Sequence, residues 1–169
     1  SALAISKSLP KNVGTVIVKH SNPCGVSIEN NPFNSYQSAL ACDPISAFGG
    51  IVACNYKIKK KLAVQLNKKF LEVVVSNGFE KDALKILKKK KNLRLIDASN
   101  LSVSNTSNFI SNFNSILIQT PDIKKFSKED FKIVSKKKPT LDQLNNLIFA
   151  FNVCRYVKSN SIVIANNKS

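Results

Sequence analysis

The sequence predicts an α/β fold with a predominantly parallel sheet covered by helices. Short apolar runs rich in β-branched residues alternate along the chain with segments whose apolar residues recur at helical spacing. The 169 residues, 43% of them hydrophobic and 21% charged, are enough to build a sizeable core. Because strands that alternate with helices at this spacing typically form βαβ units, we expect helices to pack on a single sheet.

The alternation is clearest in the first hundred residues. Residues 14–18 form a β-branched strand that we expect to end before a turn at Asn22 and Pro23. Residues 35–42 carry alanine and leucine at helical spacing and stop at Asp43, since the proline that follows disfavours helical backbone there. The pattern also predicts strands at 51–54, 71–75 and 93–96 and helices at 60–70 and 80–89.

The remainder of the chain is less regular. Residues 97–114 are rich in serine and asparagine and predict a loop or connection. We place a boundary near residue 100, so that residues 1–100 form a first subdomain and residues 101–169 a connection and the beginning of a second. Strands are predicted at 115–119 and 161–165, and between them a helix at 141–157 follows a capping box of Thr140 and Gln143.

The chain is strongly basic, with 26 Lys and Arg against 10 Asp and Glu and a formal net charge of +16. Such a charge favours a nucleic-acid partner when taken alone, and a basic nucleic-acid-binding module is the alternative function. The lysine runs at 59–61, 88–91 and 136–138, however, contain no aromatic residues on which bases could stack. We therefore expect a solvated lysine surface and no nucleic-acid partner.

Apolar runs and cysteines indicate the cellular compartment. No apolar run approaches the ~20 residues needed to cross a bilayer, so we expect no membrane association. The four cysteines contain no CxxC pair, and a chain with a core of this size does not need disulfides. We expect reduced thiols in a cytoplasmic protein.

The only histidine, His20, follows Lys19 at the end of the first predicted strand. Ligands in open α/β sheets gather beyond the carboxyl ends of strands, which makes this a favourable place for a site. Imidazole is also the side chain whose ordinary pKa suits proton transfer near neutral pH. A strand-end His or Lys is also often only a hydrogen-bonding or solvated residue, so position alone leaves the function of the pair open.

The motif around this pair is specific. The string Lys19-His20-Ser21-Asn22-Pro23-Cys24-Gly25 resembles the KHxNPCG motif of the transformylase half of the bifunctional purine biosynthesis enzymes. Further stretches resemble the same family in the same order, at residues 43–53, 70–75, 89–95, 147–151 and 157–163. Because these ordered matches spread over nearly the whole chain, the resemblance is far more specific than a single Lys-His pair.

The resemblance implies a fold, a reaction and a set of residues. The fold would be a cytidine-deaminase-like three-layer α/β/α sandwich, here incomplete. The reaction would move a formyl group from 10-formyltetrahydrofolate to the amine of aminoimidazole carboxamide ribotide (AICAR) in purine synthesis. By motif, Lys19, His20 and Asn160 would be catalytic, Phe48 and Gly49 would line the ribotide pocket, and Glu72 would meet the ribose hydroxyls.

The resemblance also implies partners and missing parts. The intact protein would be a homodimer with AICAR and folate as its ligands, and its inosine monophosphate (IMP) cyclohydrolase half and folate-binding portion would lie outside this chain. A zinc deaminase is a rival, because those enzymes carry an H-x-E and a P-C-x-x-C zinc signature. Here Ser27 stands where the second cysteine would be and His20 is followed by Ser21 and Asn22, so we expect no catalytic metal.

Overall fold

The computed structural model describes residues 1–103 and 107–169. Its elements are α1 (Ala2–Ser8), β1 (Gly14–Lys19), β2 (Asn22–Ile28), α2 (Pro32–Cys42), β3 (Gly50–Cys54), α3 (Lys60–Lys68), β4 (Leu71–Ser76), α4 (Lys81–Leu87), β5 (Arg94–Asp97), β6 (Asn108–Asn112), β7 (Ser115–Gln119), a short 3-10 helix (Lys128–Asp130) and α5 (Leu141–Cys154). From α2 to β5 the helices and strands alternate as the sequence predicts, whereas α1 and the consecutive strands β1 and β2 were not expected.

A mixed five-stranded sheet organises the fold, with the strand order β2-β1-β3-β4-β5. Strands β3, β4 and β5 are parallel, as expected. Strand β1, however, runs antiparallel to both of its neighbours, β2 and β3. The α/β class is therefore confirmed, but the expectation of a predominantly parallel sheet is wrong, because the first connection is a hairpin and not a helical crossover.

This hairpin replaces the turn that the sequence predicted at Asn22 and Pro23. His20 and Ser21 form the two-residue loop, with φ of 50° and 68°, and Lys19 pairs with Asn22 across it. Positive φ at both loop residues is the requirement of a type I′ turn, whose twist matches that of the strands it joins. Pro23 consequently lies in β2, an edge strand, where its missing N–H is tolerated.

Apolar side chains cover both faces of the sheet because alternate residues of a strand point to opposite sides. One cluster joins Ile17, Val52 and Val74 to residues of α2, α3 and α4, including Tyr36 and Leu66. The opposite cluster contains Val16, Val18, Ala53 and Val75 and is covered by Ile5 of α1 and Val153 of α5. Helix α1 was not predicted, and it contributes the fully buried Ile5 to this second cluster.

The last part of the chain departs most from expectation. The Ser- and Asn-rich segment predicted as a loop contains β6, which pairs with β7 in a separate two-stranded sheet whose residues are all exposed. Residues 104–106 of that predicted loop lie outside the described residues. Helix α5 begins at the predicted Thr140–Gln143 capping box but ends at Cys154. Residues 161–165 are not a strand, because no described strand pairs with them, and Ile162 and Ile164 are 89% and 91% exposed.

Candidate active site

The predicted site residues between positions 1 and 100 collect at one edge of the sheet, where β1 ends and β3 and β4 begin. Lys19 ends β1, whereas Gly49 immediately precedes β3 and Glu72 lies at the start of β4. Because β1 is antiparallel to β3, its carboxyl end lies beside the amino ends of β3 and β4. The candidate site therefore lies at the carboxyl end of β1, as expected. For the parallel strands β3 and β4, however, this is the amino end and not the carboxyl end.

Lys19 is held against the loop that precedes β3. Its Nζ donates a hydrogen bond to the carbonyl oxygen of Gly49 at 3.0 Å, and the amide of Gly49 donates to the carbonyl oxygen of Phe70 at 2.9 Å. Gly49 has a φ of +65°, and a Cβ built there would lie 2.8 Å from the Lys19 Nζ. Glycine therefore permits both the backbone turn and the close approach of the ammonium group.

An aromatic pair borders this lysine. The rings of Phe48 and Phe70 lie with their centroids 5.0 Å apart and their planes tilted by 36°. They are 68% and 52% exposed, unusually open for phenylalanine. The helix predicted at 60–70 would have included Phe70, which is wrong: α3 ends at Lys68, and Lys69 is already extended. Phe70 is thus a candidate site residue that the sequence did not indicate.

The loop carrying Phe48 and Gly49 is built from overlapping tight turns. The amides of Ala47 and Gly50 donate to the carbonyl oxygens of Asp43 and Ala47 at 3.2 and 3.1 Å, and the Asp43 carboxylate accepts from the Ser46 amide at 2.9 Å. Hydrogen bonds from Ser46 lower the pKa of Asp43. The carboxylate at the end of α2 therefore orders the loop that presents Phe48.

Glu72 is exposed and lies at an irregularity of the sheet. Gly50 pairs with Leu71 and Ile51 pairs with Val73, so Glu72 is the extra residue of a bulge. Bulges commonly redirect a side chain beside a site. Glu72 follows Phe70 by two residues and belongs to the same edge of the sheet.

His20 and Asn160 lie on segments that the structure brings together. His20 is exposed at the tip of the hairpin, and its ring forms no hydrogen bond with the described part of the chain. Asn160 is also exposed, after α5. The two segments are joined by the Asn22 Oδ1 atom, which accepts a hydrogen bond from the Lys158 amide at 3.1 Å. The sequence predicts a turn at Asn22 and includes it in the motif, but nothing in its local sequence indicates this contact.

The other residues of the motif support the fold. A Cβ at Gly25 would lie 1.9 Å from the carbonyl oxygen of Ala39, so β2 and α2 approach as closely as they do only because residue 25 is glycine. The Cys24 thiol is half-buried, and its pKa is raised by burial and, to a lesser degree, by the negative charge of Asp43. A thiol in this state is a poor nucleophile.

The described residues contain neither a metal-binding cluster of side chains nor a membrane-spanning helix. Within residues 1–103 and 107–169, no group of three His, Cys, Asp or Glu side chains is arranged to hold a metal ion. The helices of the same described ranges are all too short or too polar to cross a membrane.

The candidate site offers four kinds of chemical group: the imidazole of His20, the fixed ammonium of Lys19, the amide of Asn160 and the aromatic surface of Phe48 and Phe70. This set is suited to proton transfer on an anionic or aromatic ligand.

Comparison with known proteins places this chain in a family. A family model described as the AICARFT/IMPCHase bienzyme matches residues 1–169. The chain belongs to this family. The resemblance based on the Lys19–Gly25 motif is thereby confirmed.

Curated relatives agree with this AICARFT/IMPCHase assignment. The bifunctional purine biosynthesis protein PurH of Prochlorococcus marinus (strain MIT 9515) is 43% identical over 160 residues, which cover 94% of this chain and 31% of the relative. PurH of Clostridium botulinum (strain Loch Maree / Type A3) is 46% identical over 154 residues, covering 91% of this chain and 30% of that protein. The chain thus spans less than a third of the length of these relatives.

Solved structures offer a weaker likeness. The dCMP deaminase from the cyanophage S-TIM5, in its apo form, is similar with a TM-score of 0.43 and 16% identity, over 56% of this chain and 89% of the deaminase. This likeness is too partial to assign a fold or an activity to the AICARFT/IMPCHase chain.

Proposed function

We propose that this chain carries part of a formyltransferase site that moves a formyl group from 10-formyltetrahydrofolate to the amine of AICAR during purine synthesis. The observation that carries the proposal is the convergence of the Lys19-His20 hairpin, the Phe48-Gly49 loop and the Lys158–Asn160 segment. Family membership supports the same reaction. In the longer protein that contains this chain, an IMP cyclohydrolase half would complete the bifunctional enzyme.

The reaction needs a base, an oxyanion partner and an acid. The weakly nucleophilic amine must lose a proton as it attacks the formyl carbon, and the folate nitrogen must gain one as it leaves. His20, exposed and free of hydrogen bonds to described residues, is the proposed base. The Asn160 amide would donate to the formyl oxygen as negative charge develops there. Lys19, anchored on Gly49, would supply positive charge and a proton on the leaving side.

The same edge would recognise the ribotide. The exposed Phe48 ring, backed by Phe70, offers a flat apolar surface for the imidazole ring of AICAR. Glu72, on the bulge of β4, would accept hydrogen bonds from ribose hydroxyls. Gly49 lies between these features and would leave room for the ligand beside Lys19.

The proposal extends to the architecture and partners. Helices on both faces of the sheet support a cytidine-deaminase-like three-layer sandwich, with one subdomain in residues 1–100 and a second beginning in residues 101–169. The working enzyme would be a cytoplasmic homodimer that uses folate as co-substrate, needs no metal and binds neither nucleic acid nor membranes.

The direct test is a formyl-transfer assay of the full-length protein that contains these residues, with AICAR and 10-formyltetrahydrofolate. We expect His20→Asn, which keeps a residue tolerant of positive φ at the hairpin tip, to lower kcat by roughly 10²–10⁴. Lys11→Ala, at another exposed basic position, is the matched control and should retain full activity. A wild-type protein without formyl transfer would overturn the function, and a His20→Asn variant at the wild-type rate would remove His20 from it.

A further inference from the structure

The three-residue segment that ends at Asn160 is attached to the rest of the protein at both of its ends. Before it, the Lys158 amide donates to the Asn22 side chain at 3.1 Å. After it, Ser161 lies against Cys154 of α5, with the two side chains' Oγ and Sγ atoms 3.4 Å apart. Residues 158–160 themselves are exposed. Their position therefore depends on these two attachments.

We propose that Asn22 is a positioning residue that sets the distance between Asn160 and the Lys19-His20 pair. The inference rests on the proposed function and assigns to Asn22 no contact with substrate. Its side chain instead joins two segments that are 136 residues apart in the chain, each carrying groups for the same reaction.

Asn22 is well placed because its own backbone is fixed. It is the first residue of β2 and pairs with Lys19 across the type I′ hairpin, so it has a defined position relative to the pair. An acceptor oxygen at this point transmits that position directly to Lys158, two residues before Asn160. The other attachment joins the segment to Cys154 of α5. This helix is fixed to the sheet through the buried Val153 and not through the hairpin.

Loss of the Asn22 acceptor should therefore affect geometry more than binding. The Asn160 amide would still be present, but its segment would lose the hydrogen bond that joins it to the hairpin of Lys19 and His20. Displacement of a catalytic group by about 1 Å can lower a rate by roughly 10²-fold. Ribotide affinity should change little, because the proposed contacts of Phe48, Gly49 and Glu72 do not involve this hydrogen bond.

The experiment compares three variants of the full-length protein with two readouts. Asn22→Ala removes the acceptor, Asn22→Asp keeps an acceptor oxygen, and Asn30→Ala alters an exposed asparagine beyond the other end of β2 as a control. Hydrogen exchange of the Lys158 amide measures the attachment itself, and kcat with the AICAR dissociation constant measures its consequence. We expect Asn22→Ala to exchange at least about tenfold faster at Lys158 and to lose roughly 10–100-fold in kcat, with the dissociation constant within about threefold of wild type.

Asn22→Asp should recover most of both changes, and Asn30→Ala should show neither. Unchanged exchange at Lys158, or faster exchange with an unchanged kcat, would overturn the inference while leaving the proposed function intact. A wild-type protein without formyl transfer would instead overturn the function, and the positioning role with it. If Asn22→Ala does not fold, Lys158→Pro removes the donor from the other side and should give the same loss of kcat, and full activity of that variant would refute the inference.

Discussion

The Nζ of Lys19 donates a hydrogen bond to the carbonyl oxygen of Gly49 at 3.0 Å, although Lys19 ends β1 and Gly49 belongs to the loop before β3. The bond fixes the ammonium group of a long, flexible side chain at the edge where Phe48 and Phe70 are exposed. It exists because β1 and β3 are antiparallel neighbours, which brings the end of one beside the start of the other.

Replacement of Gly49 by alanine should lower both stability and activity. The residue has a φ of +65°, which costs a residue with a Cβ about 1 kcal/mol or more, and the methyl group would lie 2.8 Å from the Lys19 Nζ. We expect a loss of about 1–2 kcal/mol in urea unfolding and a fall of roughly 10-fold or more in formyl transfer.

The matched control for Gly49→Ala is Asn12→Ala. Asn12 is exposed and has a φ of 65°, so alanine there meets the same backbone strain without approaching Lys19. Asn12→Ala should lose stability and keep its activity. Equal activities of the two variants would show that the position of the Lys19 ammonium is unimportant for the reaction.

Replacement of Gly25 by alanine should destabilise the fold itself. Its Cβ would lie 1.9 Å from the carbonyl oxygen of Ala39, and the backbone of α2 cannot rotate away as a side chain can. Overpacking of this kind typically costs about 1–3 kcal/mol, and backbone contact places Gly25 at the upper end of that range. Denaturant unfolding monitored by circular dichroism measures the loss of unfolding free energy. An unfolding midpoint of Gly25→Ala equal to that of wild type would mean that β2 and α2 can move apart at no cost in stability.

Asn160→Ala should depress turnover far more than ribotide affinity. If the amide donates to the formyl oxygen, the hydrogen bond strengthens only as negative charge develops in the transition state. We expect kcat to fall by roughly 10²-fold with the AICAR dissociation constant nearly unchanged. Isothermal titration calorimetry measures the AICAR dissociation constant, and steady-state kinetics measures kcat. Equal losses in affinity and turnover would instead assign Asn160 to binding of the ground-state ribotide.

Asp43 should make stability depend on pH in the acid range. Hydrogen bonds from Ser46 lower its folded pKa below the unfolded value, so its stabilisation is full above about pH 4 and is lost as the pH falls through the folded pKa. Asp43→Asn keeps an acceptor oxygen but cannot titrate. Urea unfolding at pH 7 and pH 3 should therefore show a smaller acid loss for Asp43→Asn than for wild type, and identical losses would contradict the assignment.

Local patterns in the sequence determined most helices and strands and named the candidate site residues. The capping box at Thr140 and the proline after Asp43 act within one turn of the chain, so the start of α5 and the end of α2 could be predicted from them. The ordered motifs named Lys19, His20, Phe48, Gly49, Glu72 and Asn160 as candidates. Their roles remain predictions for the experiments above.

Only the tertiary structure decided the direction of β1, the edge at which the site lies, and the contacts of Phe70 and Asn22. The same apolar strand can be followed by a two-residue turn or by a longer connection. The choice between them depends on the hydrogen bonds that β1 forms with both β2 and β3. The bond from Lys158 to Asn22 joins residues 136 positions apart, beyond the reach of any local pattern. Local preference can start or end a helix, but the partner of a strand or of an amide is chosen by the packing of distant segments.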